Sequence, residues 1–188
     1  GDVSGKGMPA ALFMVRALTL LRAELIKPDD LGVNVSRFNR ALCETNISHM
    51  FVSLLVLTID THDGTVTYVN AGHMPLLLSR AGGAFVEIDD SRGLIAGVLS
   101  DTAYTTATLA LGDRDRLVLY TDGVTEARNR ERLFYRATGL SACVNRTGGG
   151  DSKSLVDGIF DDVRRFVGAA APSDDITVVG ITFDREPT

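Results

Sequence analysis

Cysteine is scarce: the 188 residues hold two, Cys43 and Cys143, far apart in the chain. That excludes a disulfide framework, and two free thiols in a small domain suit a reducing compartment. Long apolar runs are missing too. None approaches the ~20 residues that cross a bilayer, and no basic stretch followed by an apolar core reads as a signal peptide. Excess positive charge is also absent, with 19 Lys and Arg against 24 Asp and Glu, a net charge of -5. No segment clusters five or more basic residues, which argues against nucleic acid as a partner. These absences read as a cytoplasmic chain, with a membrane tether elsewhere in a longer parent left open.

What is present is ordinary for a folded domain. Charged residues make up 23% and apolar ones 45%, which leaves little room for disorder or fibrous repeats. The length suggests a single domain over 1–188, one able to bury roughly 70% of its unfolded surface without staples. The chain lacks an initiator Met and opens on a Gly-rich motif. It therefore reads as a fragment, cut on the N-terminal side of a longer protein.

Hydrophobic spacing organises the chain. Met8, Leu12, Val15, Leu18, Leu21 and Leu25 recur at three and four, predicting a helix from about Met8 to Lys27 with that stripe inward. Pro28-Asp29-Asp30 ends it and caps a second helix carrying Leu31, Val35, Phe38 and Leu42. From Phe51 to Asp60 the residues are apolar and β-branched, which predicts a buried strand. Asp63-Gly64 turns into a return strand, Thr65 to Asn70. A second hairpin follows around Gly82-Gly83, then strands at Ala103–Leu111 and Arg116–Tyr120. Helical spacing returns at Tyr135–Asn145 and Ser154–Val167, and Ile176–Phe183 closes as a strand. Clustered strands with segregated helices predict an α+β fold, arranged as a sandwich with helices outside.

Four segments bear chemistry. Gly1-Asp2-Val3-Ser4-Gly5-Lys6-Gly7 precedes the first helix. It lacks the spacing and the hydroxyl of a nucleotide P-loop, which leaves a flexible lead-in or a functional Asp2. Tyr120-Thr121-Asp122-Gly123-Val124-Thr125-Glu126 ends a strand. Asp-Gly is a common turn dipeptide, as at Asp63, but no matching strand follows Asp122; Glu126, four residues on, shares its face if the segment is helical. Ser173-Asp174-Asp175 sets adjacent carboxylates before a strand, either as a polar loop or as a cation site. Asn70-Ala71-Gly72-His73 lies between strands, and a lone loop histidine is more often hydrogen-bonded structure than a ligand.

Asp2, Asp122 and Asp174 all fall at junctions between a strand and a loop or helix. Gathered at one edge they would repel unless a cation neutralised them. Oxygen ligands without Cys or paired His suit Mg²⁺ or Mn²⁺ rather than structural zinc. Two such ions about 4 Å apart hold a hydroxide and a phosphoryl group for in-line attack, with no protein nucleophile. Other routes lack their residues: no arginine stands six positions after either cysteine, and there is no G-x-S-x-G elbow.

These four motifs, in this order and spacing, resemble the PPM-type metal-dependent Ser/Thr phosphatases, in particular the bacterial SpoIIE/RsbU-like branch, over essentially the whole chain. The resemblance implies a four-layer α-β-β-α sandwich of antiparallel sheets flanked by helix pairs, with two Mn²⁺ or Mg²⁺ ions at one edge. It implies Asp2 as the carboxylate bridging both ions and the Val3 carbonyl as a backbone ligand. Asp122 and Asp174 become ligands of the second ion, and Glu126 an acid that holds a water there. The implied substrate is phosphoserine or phosphothreonine on an anti-anti-sigma (STAS) protein. The helices from Met8 to Thr45 resemble the pair through which upstream sensory domains switch such enzymes, and an apolar helix pair there also allows a homodimer. The family carries an acidic segment on strands ahead of the first motif, so those N-terminal strands are expected to be missing here, with at least one ligand. The competing expectation is a weak or degenerate phosphatase fold that serves as a signalling output or binding module.

Overall fold

Local chemistry sets the element boundaries in the computed structural model, which describes residues 1–46, 49–147 and 150–185. In chain order these are β1 (Asp2–Val3), α1 (Gly7–Leu25), α2 (Leu31–Glu44), β2 (Val52–Ile59), β3 (Thr65–Ala71), β4 (Leu76–Ser79), β5 (Phe85–Ile88), β6 (Arg92–Gly93), β7 (Ala107–Ala110), β8 (Asp115–Tyr120), α3 (Asp122–Thr125), α4 (Arg136–Arg146), α5 (Ser152–Val167) and β9 (Val178–Phe183). Asp30 starts α2 as expected: its carboxylate accepts from the Gly32 and Val33 N–H groups at 2.9 and 3.3 Å. Those are donors a helix start otherwise leaves unpaired. Asp151 caps α5 in the same way, accepting from Ser154 N at 2.8 Å.

The chain divides into two units. The first holds residues 1–60, 65–73 and 89–110. Its sheet runs β1-β2-β3-β6, with β7 also on β3. Pairing is antiparallel except for the two-residue β3–β6 contact, Asn70 with Arg92 and Ala71 with Gly93. Two apolar clusters bind the helices to this sheet. Phe13, Ala17 and Leu21 of α1 meet Phe38 and Leu42 of α2 and Val52 of β2. Leu31 and Val35 of α2 meet Val69 and Ala71 of β3.

Two expectations are corrected here. The inward face of α1 is Phe13, Ala17 and Leu21, whereas Met8, Leu12 and Val15 are 72%, 64% and 60% exposed. The helix carries no charged residue from Met8 to Val15, so its sequence has no polar face to fix the phase of the stripe. The second correction concerns β2, buried at Val52 and half-buried through most of its length. Among the described residues β1 covers that edge only at Val52 and Ser53.

The second unit holds residues 61–64, 74–88 and 111 onward, with the antiparallel sheet β5-β4-β8-β9. Leu77, Val118 and Tyr120 of the sheet pack with Val124 of α3, Leu140 and Val144 of α4 and Leu155 and Ile159 of α5. A helix pair on a sheet is therefore repeated in each unit. The fold is α+β, with two mainly antiparallel sheets and five helices among the described residues. Both cysteines are free.

Candidate metal centre

Strand β8 is buried nearly throughout, and its end delivers Thr121 and Asp122 to a single helical turn, α3. The turn is held at both ends by the segment before β9. Thr121 donates its N–H to the Thr177 carbonyl at 3.1 Å, and its hydroxyl accepts from the Thr177 N–H at 3.0 Å. Ser173 donates its hydroxyl to the Glu126 carbonyl at 3.3 Å. Between these ties Gly123 lies against the opposite backbone: a Cβ there would stand 2.1 Å from the Asp175 carbonyl oxygen. Residues 121–126 and 173–177 thus form one two-stranded clasp, with Asp122 and Asp174 on its two arms.

The electrostatics follow from that clasp. Asp122 is half-buried, whereas Glu126 and Asp174 are exposed. Burial raises the Asp122 carboxyl above its ordinary pKa, and the like charges of Glu126 and then Asp174 raise it further. Glu126 closes the turn, its N–H donating to the Asp122 carbonyl at 2.8 Å; this is the helical arrangement that places i and i+4 on one face. Asp174 accepts from the Asp175 N–H at 3.1 Å. Three carboxylates whose charges oppose one another form a donor set suited to a hard divalent cation. In chemistry they fit Mg²⁺ or Mn²⁺. Among the described residues, no three His, Cys, Asp or Glu side chains form a ready-made cage.

Asp2 and Val3 belong to the first unit. They form β1, with Asp2 opposite Ser53 and Val3 opposite Val52. Asp2 Oδ1 accepts from the Val3 N–H at 3.0 Å, and Ser4 ties the strand end to Phe51 through bonds of 2.9 Å from backbone and side chain. His73 sits within hydrogen-bonded structure. Its ring is buried, with Nδ1 2.9 Å from Ser53 Oγ, and its N–H donates to Asn70 Oδ1 at 2.7 Å. His73 therefore supports the strand that pairs with Asp2.

Sequence reasoning missed Gly123, Thr121 and Ser173 as the parts that set the two aspartates side by side. The signal was an Asp-Gly pair at a strand end with no strand after it. There the glycine serves a close approach of two backbones, whereas Gly64, at φ +81°, serves the hairpin turn.

The family model described as Stage II sporulation protein E (SpoIIE) matches residues 1–184. The chain belongs to the SpoIIE family. Among curated relatives it is similar to the phosphoserine phosphatase RsbU of Bacillus subtilis, 27% identical over 169 residues, 87% of this chain and 49% of that protein. The chain spans about half the length of that relative. Among solved structures it is similar in fold to the RsbU and RsbW domains of a Mycobacterium tuberculosis protein. The TM-score is 0.78 at 24% identity, covering 100% of this chain and 51% of that one. It is similar also to the phosphatase domain of the cell fate determinant SpoIIE from Bacillus subtilis, presoaked with Mn. That likeness has a TM-score of 0.63 at 18% identity, covering 92% of this chain and 75% of that one.

Proposed function

We propose that the chain is the catalytic part of a metal-dependent protein phosphatase that hydrolyses phosphoserine or phosphothreonine. The observation that carries the reading is the clasp: the bonds of Thr121 to Thr177 and of Ser173 to Glu126, with Gly123 against Asp175, hold the segments bearing Asp122, Glu126 and Asp174 together, and burial first, then the charges of Glu126 and Asp174, raise the Asp122 pKa. Like charges held close are mildly costly for folding and useful to a cation. Family membership over residues 1–184 supports the same reading.

In this reading Asp122 and Asp174 would ligate a divalent ion, Mn²⁺ or Mg²⁺, in the second unit, and Asp2 and the Val3 carbonyl would offer ligands in the first. Bound there, such ions supply Lewis acidity toward a phosphoryl oxygen and lower the pKa of water to near neutrality. The chain's own residues do the rest. Thr121 and Gly123 fix the distance between the two arms of the clasp. Glu126, exposed at the end of α3, would hold a water at that site. Ser53 and His73 hold Asp2 through the strand it pairs with. By the same resemblance the substrate is a phosphorylated anti-anti-sigma (STAS) protein, and upstream sensory domains act through α1 and α2. No helix among the described residues is long and apolar enough to cross a membrane.

The second reading is a fold that keeps its partner surface without turnover. One observation favours it, the absence among the described residues of a ready-made three-ligand cage. The test is phosphate release from a phosphoserine peptide with and without Mn²⁺. Release that depends on Mn²⁺ and falls at least 100-fold in Asp122→Asn, as about 2.7 kcal/mol of lost stabilisation gives, supports the phosphatase. Equal release in metal-free buffer overturns it.

A further inference from the structure

One residue after Glu126 the chain enters a loop with an unusual charge. Residues 127–136, the loop and the first residue of α4, hold four arginines, Arg128, Arg130, Arg132 and Arg136, and one glutamate, in a chain whose net charge is -5. All four arginines are exposed. Among the described residues none of them forms a salt bridge, although other arginines of this unit do. Arg80 holds Asp115 at 2.6 Å, and Arg146 and Arg165 both hold Asp162.

The loop is built rather than loose. Asn129 Oδ1 accepts from the N–H groups of Glu131 and Leu133, both at 3.0 Å. Asn129 N–H donates to the Leu133 carbonyl at 3.1 Å, and Tyr135 N–H to the Ala127 carbonyl at 2.9 Å. Tyr135 anchors the end in the core. Arg132 and Arg136 sit at φ +62° and +64°, a conformation that L-residues resist. Where the two sides of the loop pair, the Arg128 guanidinium lies 4.4 Å from the Phe134 ring centre, while Leu133 and Phe134 are 55% and 38% exposed. Arginine with exposed aromatic and aliphatic side chains is the composition of binding hot spots.

We propose that this loop docks the acidic flank of the phosphoprotein substrate, so that residues beside the phosphoserine are read by Arg130 and Arg132 while Leu133 and Phe134 take an apolar neighbour. The proposal rests on the phosphatase reading and names the substrate's chemistry. A protein is favoured over an anionic membrane because the loop continues directly from the Asp122–Glu126 segment. The apolar part of the loop is only two residues, far short of an apolar helix face laid into a bilayer interface.

The test uses fluorescein-labelled phosphoserine peptides, one flanked by Asp and Glu and one by Asn and Gln, with binding to the full chain read by anisotropy in Mn²⁺. The variant is Arg130→Ser with Arg132→Asn, since asparagine tolerates the left-handed backbone. Arg40→Ser, on α2, is the control for loss of an exposed arginine away from the loop. The wild type binds the acidic peptide about tenfold more tightly than the neutral one at ~0.05 M salt, and the preference fades by ~0.5 M, where screening is nearly complete. The double variant loses the preference and Arg40→Ser keeps it. Equal binding of the two peptides by the wild type, or a preference that survives the double variant, overturns the proposal. So does a wild type that ignores both peptides and binds phosphatidylserine vesicles instead. Hydrolysis of p-nitrophenyl phosphate by the wild type is measured alongside. If it is absent the phosphatase reading fails, while the peptide preference still decides the role of the loop.

Discussion

Gly123 and Asp175 touch backbone to backbone, so closely that a Cβ on the glycine would stand 2.1 Å from the aspartate's carbonyl oxygen. This contact keeps the arms bearing Asp122 and Asp174 together. Gly123→Ala is expected to force the arms apart, at about 1–3 kcal/mol for overpacking. Thermal unfolding reads the loss. Calorimetry should show Mn²⁺ binding weakened at least tenfold, about 1.4 kcal/mol. Unchanged metal affinity would contradict the role assigned to the contact.

Thr121 is 7% exposed, and its hydroxyl accepts from the Thr177 N–H. Thr121→Val keeps the shape and removes the acceptor, stranding that N–H. The expected loss is about 1–3 kcal/mol, while Thr121→Ser retains the bond and most of the stability. Urea denaturation of the pair checks this.

The pH dependence has a definite sign. Burial first, then Glu126 and Asp174, raise the Asp122 pKa in the folded chain. Between the unfolded and folded pKa values the native state therefore holds more protons, and stability falls as pH rises. That contribution is fully present below the unfolded pKa and lost as pH rises through the folded one. Asp122→Asn is expected to stabilise the metal-free protein near neutral pH by about 0.2–0.5 kcal/mol, the size of one like-charge i,i+4 pair. It should also abolish metal binding. For the wild type, Mn²⁺ affinity should fall on acidification at a higher pH than the ordinary aspartate range of about 3.9. Unfolding curves and metal titrations at a series of pH values read both.

His73 gives a contrasting expectation. Its buried ring is joined to Ser53, so His73→Ala should lower stability by about 1–3 kcal/mol through an unpaired polar group and lost packing. At temperatures where the variant is folded, Mn²⁺ affinity should change less than threefold, about 0.65 kcal/mol. A total loss of binding would make His73 a ligand.

Much of the fold was legible because its signals are local. Asp30 announced α2, Asp63-Gly64 announced the β2–β3 hairpin, and helical spacing over Ser154–Val167 announced α5. Less was legible where the sequence lacked contrast or length. The phase of α1 was misread because nearly every face from Met8 to Val15 is apolar. The two-residue β6 carries no pattern, and β7 starts at Ala107 rather than Ala103 because residues 103–106 pair with no strand. In the candidate centre the carboxylates could be picked by type and position. What brings Asp122 beside Asp174 could not, since the contact of Gly123 with Asp175 and the bonds of Thr121 to Thr177 are long-range backbone facts.

Calorimetric titration of Mn²⁺ into the wild type, Asp122→Asn and Asp174→Asn tests the central claim most directly. The account predicts saturable binding to the wild type and its loss in both variants, each of which stays folded. Binding that survives both substitutions, or no binding to a folded wild type, would contradict it.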